Sequence, residues 1–152
     1  APQFSAINEN LGALRSAVEA YLSRSEESTQ SVAGSETAQY LQTLAAHMNE
    51  GLAAIRTDMA EAMKQMQSSQ ISQQVSAMQD SIVGLRDVLA QNRERLKQVQ
   101  GRLKEAEPEV VMEFSEEMID NNEALLRAIS QQIEQLREEG EGDSPGKPES
   151  SQ

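Results

Sequence analysis

One histidine, two asparagines set in apolar stripes, a run of carboxylates and seven methionines are the residues through which this chain could do chemistry. A carboxylate-bridged metal centre inside a helical bundle needs Glu-x-x-His from each of two helices. Leu44, not a glutamate, stands three residues before His47, which itself falls one position ahead of an apolar-stripe residue, Met48, on a face expected to meet solvent. No metal is expected there. The carboxylates between Glu105 and Glu117 lack the alternating oxygen ligands and central glycine of a calcium loop, so they read as a solvated acidic face. With no cysteine and a single histidine, no pair of nucleophile and base can be assembled. Gly12, Gly51, Gly84 and Gly101 are isolated within helical patterns and form no loop to cradle a phosphate. Two Phe, two Tyr and no Trp leave little for a substrate pocket. The expectation is a protein that is not an enzyme and holds no cofactor.

What remains is recognition through side-chain packing. Flexible thioethers can line an adaptable groove for a partner. On that reading the candidate partner-binding residues are Met59, Met63 and Met66, with Met118, Leu125 and Ile133 on a later segment. The plainer alternative is that methionines at stripe spacing are ordinary core. Asn92 and Asn122 interrupt two otherwise apolar stripes, and a buried asparagine pair commonly fixes register at some cost in stability. Both are assigned a register-setting role.

These residues must be positioned by helices, because the apolar residues alternate at intervals of three and four. Between Ala38 and Val99 they also mirror each other about Ser68 and Ser69. Met66 pairs with Ile71, Ala62 with Val75, Met59 with Met78, Ile55 with Ile82, Leu52 with Leu85, Met48 with Leu89 and Leu41 with Leu96, each pair of numbers summing to 137. The phase slips by two residues at the serines. Stutters and stammers insert four or three residues, so a slip of two points to a chain reversal. A second mirror near Glu107 sets Leu96 against Met118, Asn92 against Asn122, Leu89 against Leu125, Leu85 against Ile129 and Met78 against Leu136, each pair summing to 214. Charge agrees with it, since Arg93, Arg95, Lys97, Arg102 and Lys104 face Glu109, Glu113, Glu116, Glu117, Asp120 and Glu123.

The expected fold is all-α: an antiparallel bundle of three long helices, about 36–67, 70–106 and 109–139, plus a shorter N-terminal helix of about 3–24 that completes or flanks it. The second helix is expected to be capped by Ser35 and the fourth to begin beside Pro108. Residues 25–35 read as a flexible connection, making 1–139 one domain. Residues 140–152 have no apolar side chain to bury and read as a disordered tail. The broad apolar face of the last helix implies a third helix within the chain or a second copy of it.

A net charge of -12 argues against nucleic acid and against an anionic membrane surface, both of which need clustered Lys and Arg. No apolar run approaches the roughly 20 residues of a membrane span. No Asn-x-Ser/Thr sequon occurs, and a cytoplasmic location is favoured. The leading functional expectation is a protein-interaction or oligomerisation module, scaffold or adaptor, whose partner is a second copy or another helical protein. One alternative is an amphipathic protein that coats lipid surfaces in the manner of exchangeable apolipoproteins, although its helix flanks are Gln, Ser and acidic residues rather than Lys and Arg. Another is a helical N-terminal or linker part of a larger signalling protein.

Overall fold

A helix with one apolar stripe is stable only when another helix covers the stripe. Four helices meet that need: α1 (Phe4–Ser31), α2 (Gly34–Lys64), α3 (Ile71–Gln100) and α4 (Pro108–Gly142). The computed structural model describes residues 4–31, 34–65, 71–100 and 108–142, all of them helical except Gln65.

Contacts between named residues fix the chain direction. Leu14 of α1 lies against Gly51 of α2, and Tyr21 against His47, so these helices are antiparallel. Arg86 and Arg93 of α3 reach Ser130 and Asp120 of α4, which are antiparallel too. Asn8 meets Gln74 and Ser25 meets Arg95, so α1 runs parallel to α3. It follows that α2 and α3 are antiparallel, as the first mirror requires; Ser68 and Ser69 themselves lie outside the described residues. Together the two mirrors place each α2 residue opposite the α4 residue 77 positions later, and Asn122 donates to the carbonyl of Ala45 at that separation.

Among the mirrored residues whose side chains are described, all of those on α2 and α3 are buried, from Leu41 and Leu96 at one end to Ala62 and Val75 at the other. Met66 lies outside the described residues, as does the side chain of Ile71. Each Leu, Ile or Met so buried is worth roughly 1.5–3 kcal/mol. An exposed ion pair is worth about 0.2–1 kcal/mol, so the seams rather than the charges hold the fold.

α1 and α4 each pack on both α2 and α3 and hardly touch each other, while α2 and α3 meet less extensively, across the shorter diagonal of the bundle. α1 is therefore an integral fourth member rather than a short flanking helix. At 28 residues it also outruns its expected end at 24. Arg95 contacts this end. From α3 its Nη1 donates to the carbonyl of Leu22 and, at 2.9 Å, to Ser25 Oγ, which itself donates to Leu22 O at 2.7 Å. Ser25 is fully buried, and the stretch expected as a flexible connection continues helical to Ser31.

Other boundaries differ by less. α2 begins at Gly34, which places Ser35 inside the helix rather than at its cap. α4 begins at Pro108, whose missing N–H costs nothing in a first turn, and runs three residues past its expected end, the ordinary margin for a helix terminus. The expected continuation of α3 through residues 101–106 and the tail from 143 lie outside the described residues. Most of the broad face of α4 is covered inside the chain, because it packs on α2 as well as α3, with Met118 and Leu125 left half-buried.

Two glycines seat α1. A Cβ at Gly51 would lie 2.7 Å from Leu14 Cδ1, and one at Gly84 would meet the Arg15 guanidinium. The gap each leaves lets a side chain of α1 lie directly on a neighbouring backbone.

Candidate functional site

The residues expected to face a partner separate into three groups. Met59 and Ile133 are core, at 0% and 1% exposure, so they cannot line a surface groove while the bundle is closed. Met63, Met118 and Leu125 are half-buried against the core. Met66 lies outside the described residues.

Leu125 does line a groove, of about 500 Å³, between α2 and α4. Its α2 wall is built from Ala53, Thr57 and Ala60, which are exposed and small because α2 turns its stripe of Leu52, Ile55 and Met59 into the core. Arg56, Glu61 and Lys64 edge it. Gln132 bridges the two helices by donating to the carbonyl of Arg56 at 3.3 Å. The arrangement suits side chains of another helix: small residues allow close approach, one leucine offers apolar contact, and charges of both signs set orientation. A second groove, between α3 and α4, is lined by Arg86, Arg93 and Arg127, but its guanidinium groups are engaged. Arg93 reaches Asp120 at 3.2 Å and Glu123 at 3.4 Å, and Arg86 donates to Ser130 Oγ at 3.0 Å.

His47 is exposed, as its position implied, and its ring stacks on Tyr21 with centroids 5.2 Å apart. Tyr21 Oη lies 3.3 Å from Nε2, so the imidazole serves the α1–α2 contact. Tyr21 reads in the sequence as a plain stripe residue; nothing there announces its polar partner. Among the described residues no cluster of three His, Asp or Glu side chains could hold a metal ion. Among them too, no helix is long and apolar enough to cross a membrane.

Asn92 and Asn122 are both fully buried and share a layer with Ala45, but they do not bond each other. Asn122 Nδ2 donates to Ala45 O at 3.0 Å, while neither polar atom of Asn92 has a protein partner. Thr37 Oγ1 and Ser115 Oγ, one layer from the α1–α2 and α3–α4 connections, are likewise buried without partners. Each such group costs on the order of 1–3 kcal/mol. All five buried polar residues among those described, Ser25, Thr37, Asn92, Ser115 and Asn122, fall in this half of the bundle. The opposite half, around Ile7, Met59, Met78 and Ile133, has no buried polar residue among those described, although single polar atoms of the half-buried Asn8 and Gln132, Oδ1 and Oε1, are covered there without a partner.

Fold and site together define a cysteine-free four-helix bundle with a shallow interhelical groove and one polar-cored end. No protein family, curated protein or solved structure matches the chain.

Proposed function

We propose that this protein is a non-enzymatic interaction module that receives a helix, from a second copy or from another helical protein, along the groove between α2 and α4. The observation that carries the reading is the groove itself, where Leu125 lies among the exposed small residues Ala53, Thr57 and Ala60 beneath a rim of Arg56, Glu61 and Lys64. Such a surface binds with modest affinity, because little apolar area is on offer; among the described large hydrophobic residues only Val83, at 60%, is exposed outright. A net charge of -12 favours a partner whose contacting face is neutral or basic. The register-setting role of Asn92 and Asn122 belongs to the same proposal, since a single layer order keeps α2 and α4 aligned across the groove.

Sedimentation equilibrium over a wide concentration range, with chemical cross-linking of the chain alone and in lysate, tests the reading. Association or partner cross-links that concentrate on residues 53–64 and 125–132 and vanish in Ala60→Glu support it. A chain that stays monomeric and yields no such cross-links ends it.

A further inference from the structure

The bundle is built as two hairpins, and its polar features divide along that line. Within each hairpin, α1 and α2 are tied by the Tyr21–His47 stack, and α3 and α4 by Arg93 with Asp120 and Glu123 and by Arg86 with Ser130. Between hairpins most ties end on a main-chain carbonyl: Asn8 to Gln74 O, Arg95 to Leu22 O, Asn122 to Ala45 O and Gln132 to Arg56 O, with Asn8 to Gln74 Oε1 and Arg95 to Ser25 Oγ the side-chain bonds beside them. The hairpins share one covalent connection, between Lys64 and Ile71, at the end where the core is apolar. At the other end lie the Asn92–Asn122 layer and the buried hydroxyls of Thr37 and Ser115, whose unpartnered atoms would regain hydrogen bonds from water if the hairpins parted.

We infer that the two hairpins, α1–α2 and α3–α4, separate reversibly at the polar-cored end while the end around Met59, Met78 and Ile133 stays closed. Opening uncovers the apolar side chains that share those layers, Leu22, Leu44, Val88 and Leu126, none of which is exposed in the closed bundle. Hydrating the polar atoms offsets more of that cost at this end, where Thr37, Asn92, Ser115 and Asn122 supply five unpartnered buried atoms, than at the other, where Asn8 and Gln132 supply two. The inference does not rest on the α2–α4 groove, which lies on the outer surface.

Native-state hydrogen exchange on the whole chain tests it. Amides of residues 18–25, 38–48, 88–99 and 116–126 should exchange through one shared event, at least about tenfold faster than those of 7–14, 52–62, 75–85 and 129–136. Ordinary fraying predicts the reverse, because both described chain ends, near Phe4 and Gly142, lie at the apolar end. Equal exchange at both ends, or faster exchange at the apolar end, overturns the inference. Asn92→Leu should slow the polar-end amides about tenfold and slow the others by no more than its gain in global stability measured in urea. A disulfide between Ala45→Cys and Asn122→Cys should bring the two ends to the same rate; the chain has no cysteine of its own to interfere. If the stapled chain keeps the fast exchange, separation of the hairpins is not its source.

Discussion

Asn92 and Asn122 occupy one layer yet differ in what replacing them would do. Asn92 has two buried polar atoms without a partner, so Asn92→Leu should raise stability by about 1–3 kcal/mol in urea unfolding. Asn122→Leu gives up a bond to Ala45 O, and its gain should be smaller; an Asn92→Leu protein less stable than the parent would mean that the side chain is satisfied in solution. Their burial was legible as breaks in an apolar stripe. Their partners were not, because the acceptor Asn122 uses is a backbone carbonyl, which every residue carries and no side-chain pattern marks. The glycines repeat the lesson. Gly84→Ala should stabilise by up to about 1 kcal/mol, since the extended Arg15 side chain swings aside and helix propensity is gained, whereas Gly51→Ala presses on the branched, half-buried Leu14 and should gain nothing. Urea midpoints of the two variants separate these outcomes.

At the scale of the elements, the interval of three and four marked all four helices and the two reversals. The end of α1 escaped it because the pattern stops at Leu22, while the contact made beyond it comes from Arg95, 70 residues away from Ser25. Arg95→Met should therefore cost about 1.5–3 kcal/mol, the worth of hydrogen bonds to a charged donor, and release the last turns of α1, visible as lost exchange protection over residues 22–31. Arg93→Gln should cost less than about 1 kcal/mol, because its pairs with Asp120 and Glu123 are exposed. If the two substitutions cost the same, tertiary anchoring of α1 by Arg95 is not what extends it.

For the molecule as a whole, the mirrors gave layers but not neighbours. In a bundle all four helices share each layer, so a pattern that relates α2 to α3 and α3 to α4 also relates α2 to α4, which proves to be a direct contact. Only the structure shows α1 and α4 on opposite sides of the central pair. The same geometry narrows the candidate site: stripe spacing could not tell Met59, which is buried in the core, from Leu125, which is half-buried and lines the groove. Without α1, the faces that cover Ile7, Leu11, Val18 and Leu22 would meet water, so a chain lacking residues 1–33 should bind a hydrophobic dye and lose cooperative unfolding.

The most direct measurement is the distance between spin labels at Ala46→Cys on α2 and Gln91→Cys on α3, two exposed positions that sum to 137. An antiparallel α2–α3 arrangement gives a single narrow distribution below about 30 Å within one chain, the span of packed helices with their labels. A distance near the roughly 68 Å that 45 residues cover in a continuous helix would contradict it.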